Sequence, residues 1–108
     1  MQEESVRTEQ IGRITRMEEI LDEAQREIEV FRAALARFAA VQDRIDELSA
    51  YYGSNEWRAD FAADEAGELP AGLKRGVLSE DAVYDLLMDD HDLLFDMMQF
   101  GARGDLTP

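Results

Sequence analysis

Two short stretches decide how this chain folds: YYGSNEW at residues 51–57 and LKRGVLSED at residues 73–81. Gly53 supplies the left-handed residue that commonly ends a helix, and Ser54 supplies a side-chain oxygen that can cap the next one. Ser79 offers a second capping oxygen, followed by two acidic residues that suit the first turn of a helix. The two stretches therefore predict three helices, separated at these two points.

Upstream of these stretches, apolar side chains recur in steps of three and four. They are Ile14, Met17, Leu21, Ala24, Ile28, Phe31, Leu35 and Phe38. That spacing places them on one stripe of a helix and matches the repeat of a coiled coil. Past Phe38 the next heptad position is Gln42, whereas the apolar series moves to Val41. The sequence therefore leaves open whether the helix continues or breaks near Ala39-Ala40.

We predict an all-α fold, a helical hairpin or bundle formed by a single domain at residues 1–108. Its predicted elements are a long amphipathic helix at 6–52, a short capped helix at 55–65, a loop at 66–78, a largely buried helix at 80–100 and a frayed tail at 101–108. Leu73-Lys74-Arg75 is expected to form one turn closed by Gly76, and Gly101 is expected to close the third helix.

The chain is strongly acidic, with a formal net charge of -14. Such an excess repels nucleic-acid phosphates and anionic lipid, so we expect no direct binding of nucleic acid and no membrane association. No apolar run approaches membrane-spanning length, and the opening residues lack the pattern of a secretory signal. Without cysteine the chain has no disulfides and no thiolate metal site. A cytoplasmic location is therefore expected.

Five aspartates of the predicted third helix fall within roughly 80° of arc and define what we call the acidic ridge: Asp81, Asp85, Asp89, Asp92 and Asp96. Nearly all the rest of that helix is apolar, an arc too wide for one neighbouring helix to bury. A second copy of the chain or a different protein could cover it together with the stripe from Ile11 to Phe31. We favour a homodimer, because two-fold pairs are the commonest oligomers. The alternative is a first helix that breaks and folds into a self-contained bundle.

Asp90 lies in the middle of the apolar arc, where a carboxylate without a partner is costly to bury. We predict that a basic or hydroxyl group pairs with it, from Lys74, Arg75 or an arginine of the first helix. The run Asp89-Asp90-His91-Asp92 does not predict a metal site, because adjacent helical residues diverge by about 100°.

A second candidate site combines Tyr52, Trp57, Lys74 and Arg75. Two cations beside an aromatic ring could hold a small anion. The alternative, which we favour, is that the cations neutralise nearby carboxylates and that the aromatic residues form a small core under the loop. The candidate carboxylates are Asp60, Asp64, Glu80 and Asp81. No catalytic residue is assigned, because no nucleophile stands beside a base. No cofactor and no metal are predicted.

The residues Tyr51-Tyr52-Gly53-Ser54, Trp57, Asp60, Leu69-Pro70 and the run from Leu73 to Leu87 resemble the signature of a small bacterial helical family, the domain-of-unknown-function family 4298. The segment from Arg13 to Ala24 also fits its first helix, so the resemblance covers residues 13–98. It implies a bacterial cytoplasmic protein and supplies no activity.

Three functions stay open at this level. The first, which we favour, is a non-enzymatic protein–protein interaction module that uses the apolar stripe together with Met88, Met97 and Met98, since methionine suits adaptable contacts. The second is a regulatory module that binds a small anion through Trp57, Lys74 and Arg75. The third is an acidic decoy that mimics nucleic acid through the acidic ridge.

Overall fold

A computed structural model of the chain describes residues 2–104. It contains three α-helices, α1 at Gln2–Tyr51, α2 at Asn55–Glu65 and α3 at Ala82–Arg103, and a short 3-10 helix at Gly76–Leu78. No strand occurs among these residues, and the fold is all-α, as predicted. Two compact units divide between Val41 and Gln42, whereas the sequence suggested one domain.

The first helix is longer than predicted at its start. α1 begins at Gln2 and not at residue 6. Glu3 and Glu4 lie in its first turn, where carboxylates interact favourably with the helix dipole. The helix also continues through Ala39-Ala40, so the alternative of a broken first helix is wrong. Alanine has the highest helix propensity of all residues, so this pair favours continuation.

Local capping chemistry positions the short second helix. Gly53 adopts a φ of 79° after the end of α1, and the Ser54 side chain accepts a hydrogen bond of 3.1 Å from the Trp57 amide. α2 therefore spans the range expected from Ser54. At its other end Gly67 has a φ of 71°, and the amides of Gly67 and Glu68 donate to carbonyls in the last turn of α2. This pattern is a Schellman motif, which satisfies carbonyls that the helix leaves free.

The segment before α3 differs from the prediction in two places. The turn expected at Leu73-Lys74-Arg75 forms three residues later in the chain, at Gly76–Leu78. α3 begins at Ala82 and not at residue 80. The reason is that the Ser79 hydroxyl donates to the Gly76 carbonyl at 2.8 Å and accepts from the Ala82 amide at 3.2 Å. Ser79 thus closes a separate turn ahead of the helix.

The end of α3 also differs from the prediction. α3 continues past Gly101 to Arg103. Within residues 2–104 only Gly53 and Gly67 have positive φ values, so Gly101 keeps a helical backbone and does not close the helix. The predicted frayed tail at 101–108 is therefore helical in its first part, and its residues 105–108 lie outside the described part of the chain.

The prediction of a largely buried third helix is wrong for the single chain. The buried core consists of Leu78, which is 5% exposed, and Val83, which is 2% exposed. Val83 is the one buried residue of α3. The neighbouring elements of the second unit are too short to cover an apolar arc of this width, so most of it remains in water.

Candidate functional site

Three aromatic side chains pack together where α1 ends and α2 begins. The Tyr52 ring meets Trp57 edge-on, with ring centres 5.4 Å apart and an interplanar angle of 72°. The Trp57 ring stacks on Phe61 at 5.3 Å and 23°. Both geometries are those that favourable aromatic pairs adopt. We call Tyr52, Trp57 and Phe61 the aromatic cluster.

Two hydrogen bonds join the aromatic cluster to the segment before α3. Trp57 Nε1 donates to the Val77 carbonyl at 2.9 Å, and the Tyr52 hydroxyl donates to the Glu80 carbonyl at 2.9 Å. The polar groups of both rings are therefore bonded to the protein backbone. This arrangement supports the interpretation of the cluster as a small core and not as a cage for a ligand.

Arg75 already has an anionic partner. Its Nη1 lies 2.5 Å from Asp64 Oδ1, and both side chains are partly buried. Asp64 is among the carboxylates that the sequence offered for this role. A charge-assisted bond of this kind is stronger than a neutral one, so a small anion would have to compete with Asp64 for the guanidinium group.

Lys74 is exposed and forms no ion pair with any residue from 2 to 104. It borders two open clefts. One, of about 270 Å³, is also lined by Arg75 and Leu78. The other, of about 400 Å³, is apolar apart from Lys74 and is lined by Leu48, Val77, Ala82, Val83 and Leu86 with the backbone of Gly76. Trp57 lines neither cleft, so the structure brings Lys74 and Arg75 together but does not add Trp57 to them.

Asp90 pairs with an amide, and the prediction of a basic or hydroxyl partner is wrong. Gln42 Nε2 donates to Asp90 Oδ1 at 3.0 Å, and both side chains are partly buried. An amide satisfies the carboxylate without requiring that a second charge lose its water, which explains why no cation is needed here.

Gln42 is the site residue that the sequence interpretation missed, although a signal was present. Gln42 interrupts the apolar stripe of the first helix, and Asp90 interrupts the apolar arc of the third. Because partly buried polar groups are almost always hydrogen-bonded, two isolated polar interruptions on packed helices are candidates to pair with each other.

The acidic ridge lies on the outer side of α3. All five of its aspartates are exposed. In a projection of about 100° per residue they lie opposite the less exposed side, which holds Val83, Leu87, Asp90 and Met97. No group of three or more His, Asp or Glu side chains within residues 2–104 is arranged to hold a metal ion.

Two rows of apolar side chains border the less exposed side of α3, and we call them the flanks of α3. One row holds Tyr84, Met88, Phe95 and Met98, and the other holds Leu86, Leu93 and Phe100. All seven are between 42% and 71% exposed. Continuous exposed apolar surface is a common mark of protein interaction sites.

The Tyr51 hydroxyl donates a hydrogen bond of 2.6 Å to Asp60 Oδ2. This bond, then burial, then the negative charges of Asp60 and Glu56 raise the pKa of Tyr51 from 10.0 to about 12. Ionising the phenol would remove the donor and place two negative charges side by side. The bond therefore contributes to stability in full below pH 10, and that contribution is lost as the pH rises from 10 to about 12.

We expect tyrosinate absorbance to show a late ionisation step, with a pKa of about 12, that belongs to Tyr51. Tyr51→Phe should remove that late step, because the raised pKa belongs to Tyr51. Asp60→Asn should move it to lower pH, because an amide carries no charge against the phenolate. Tyr84→Phe, a change at an exposed tyrosine, is the control. A late step that persists in Tyr51→Phe would contradict the assignment.

A comparison of the chain with family models found a match over most of its length. The family model described as "Domain of unknown function (DUF4298)" matches residues 14–100. No curated protein and no solved structure matches the chain. Within residues 2–104, none of the helices combines the length and the apolar character needed to cross a membrane.

Proposed function

The chain belongs to this family of unknown function, and we propose that it is a non-enzymatic module that binds other proteins. The observation that carries the proposal is the exposure of the flanks of α3, whose largest values are 66% at Met98 and 71% at Phe100. Apolar surface is stabilised by about 25 cal/mol for each Å² that a partner removes from water. Burial of the flanks against a partner would therefore contribute favourably to the free energy of binding.

The dimensions of the flanks favour a protein over a small ligand. Tyr84 and Met98 stand at the two ends of one flank, and the rise of about 1.5 Å per helical residue sets them about 20 Å apart. An amphipathic helix of a partner, with anchors at three- and four-residue spacing, matches a row of this length. Methionine side chains at Met88 and Met98 adapt to partners of different shape.

We further propose that the module is a homodimer in the bacterial cytoplasm. A second copy of the chain is the partner always present at the concentration of the first, and two-fold pairs are the commonest oligomers. The net charge of -14 favours neutral or basic proteins as additional partners.

A matched pair of single substitutions tests the role of the flanks. Wild-type protein and Phe95→Glu serve as baits, and any protein retained only by the wild type is purified and titrated calorimetrically. Phe95 is 50% exposed in one flank. Burying a glutamate there without a partner should weaken binding about tenfold or more.

Gln99→Glu is the control, because it adds the same charge to α3 at an exposed polar position outside the flanks. It should leave the dissociation constant unchanged. If Phe95→Glu binds the purified partner as tightly as Gln99→Glu does, the flanks are not the binding surface and the proposal fails.

Two other functions stay predictions. A small-anion site has less support, because Arg75 is held by Asp64 and Trp57 lies outside the clefts beside Lys74. A nucleic-acid mimic has the exposed acidic ridge in its favour. Capture of basic DNA-binding proteins that disappears above about 0.3 M salt would support the mimic, because exposed charges are screened there.

A further inference from the structure

The apolar stripe of the first unit has no cover in the single chain. α1 contains no buried residue, and Ile14, Met17, Leu21, Ile28 and Phe31 are between 49% and 58% exposed. Helices in proteins gain most of their stability from packing of an apolar face and not from intrinsic propensity. A long helix with an uncovered apolar stripe is therefore expected to pack against a partner.

The stripe follows a heptad repeat through the first unit. In the letters abcdefg of that repeat, the a positions hold Ile14, Leu21, Ile28 and Leu35, and the d positions hold Met17, Ala24, Phe31 and Phe38. The e and g positions lie beside this seam, and their charges set the choice and the direction of the partner helix. The charges at e and g are therefore the evidence that identifies the occupant.

Those charges fit a second copy of the chain running in the same direction. In a parallel pair, each g residue faces the e residue five positions later on the other helix. Arg13 at g then faces Glu18 at e, and Glu27 at g faces Arg32 at e. The g position between them, Ile20, faces Gln25 and carries no charge. Symmetry doubles the two attractive pairs, and no like-charged pair arises.

An antiparallel arrangement of the same stripe cannot combine the full apolar seam with these attractions. With Ile14 opposite Phe38, g faces g and e faces e. Arg13 then faces Ala34, and Glu18 faces Ala39. In the two remaining contacts, Glu27 faces the uncharged Ile20 and Arg32 faces the uncharged Gln25.

A shift of one heptad, with Ile14 opposite Phe31, restores the attractions of Arg13 with Glu27 and of Glu18 with Arg32. It also sets Leu35 opposite Gln10 and Phe38 opposite Arg7, which places polar residues in the apolar seam. The apolar seam and the charges together therefore select the parallel direction.

We propose that residues 13–38 pair with the same residues of a second copy as a parallel two-stranded coiled coil. The inference rests on the proposed homodimer and assigns its surface and direction. It leaves the flanks of α3 free for a different protein. The first unit is thus the dimerisation arm and the second unit carries the partner-binding helix.

Two reciprocal charge exchanges test the pairing. A basic variant carries Glu18→Arg and Glu27→Arg, and an acidic variant carries Arg13→Glu and Arg32→Glu. Each variant alone sets like charges together at every charged e–g contact, so its dimer should dissociate about tenfold more readily or worse. Mixing the two restores opposite charges at all four contacts, so the mixture should form a heterodimer. Molar mass by light scattering during gel filtration, over a wide concentration range, reads out each case.

The control substitutes Glu19 and Glu29 by arginine, positions f and b on the side of the helix away from the seam. This control has the same net charge as the basic variant. The control and the basic variant are both less negative than the wild type. If repulsion between the net charges of the two chains decided the affinity, both dimers would be tighter than the wild-type dimer. The proposed pairing predicts a weaker dimer for the basic variant only.

The outcomes separate this inference from the proposed function. A dimeric wild type that both variants weaken and their mixture restores supports the seam along residues 13–38. The chain has no cysteine, so Ile14→Cys should form a disulfide-linked dimer on oxidation if the helices are parallel, and failure to form it overturns the parallel direction. If the wild type is a dimer and neither charge exchange changes its dissociation, the pairing is overturned and the proposed homodimer is retained. A wild type that stays monomeric overturns both. Phe95→Glu should leave the mass unchanged, and if it alone dissociates the dimer, the seam lies on α3 and the pairing is overturned.

Discussion

Replacing Leu78 by alanine is expected to lower the free energy of unfolding of the second unit by about 2–4 kcal/mol. Leu78 is 5% exposed and shares the buried core with Val83. A small domain has a total stability of only about 5 kcal/mol or somewhat more, and within the described chain no third buried residue compensates. Urea denaturation followed by the fluorescence of Trp57, the one tryptophan of the sequence, measures the change.

Leu73→Ala is the matched control for that experiment. It removes the same atoms from the same loop, but Leu73 is 49% exposed. Its cost should stay below about 1 kcal/mol, because little apolar area leaves the core. Equal shifts in the two variants would show that burial of Leu78 is not what holds the loop against α3.

Replacing Trp57 by alanine is expected to cost about 2–4 kcal/mol. The substitution removes the stacking on Phe61, the edge contact with Tyr52 and the hydrogen bond from Nε1 to the Val77 carbonyl. Because the fluorescent residue is lost, scanning calorimetry provides the measurement. A melting temperature within experimental error of the wild type would contradict the role assigned to the aromatic cluster.

Two milder substitutions separate the contributions of the ring and its N–H group. Trp57→Phe keeps an aromatic ring and loses the donor, so it should cost about 1 kcal/mol for the hydrogen bond plus the loss of ring area. Val77→Ala keeps the accepting carbonyl, and Val77 is exposed, so its cost should be smaller. If Trp57→Phe costs as much as Trp57→Ala, the hydrogen bond dominates over stacking.

Local chemistry explains which parts of the fold were predictable. Gly53 takes the left-handed conformation and Ser54 caps α2, because both requirements are met by residues adjacent in sequence. Gly101 offers the same freedom but keeps a helical backbone. Glycine permits a positive φ without requiring it, so the sequence alone could not fix the end of α3.

Long-range geometry explains what was not predictable in the candidate site. The sequence predicts that Asp90 needs a partner. The choice of Gln42 over Lys74 depends on which surfaces of the folded chain meet. The exposure of the flanks of α3 likewise depends on how many neighbours the helix has. An apolar arc on a helix indicates that the helix needs neighbours, but it does not indicate whether those neighbours belong to the same chain.

The two hydrogen bonds of the aromatic cluster also bear on the order in which the chain folds. They join residues only 20 and 28 positions apart, Trp57 with Val77 and Tyr52 with Glu80. The entropy lost on closing a loop grows slowly with its length, and contacts between nearby residues favour rapid folding. Both bonds lie within residues 52–80, so they can close before the C-terminal part of α3 has formed any contact.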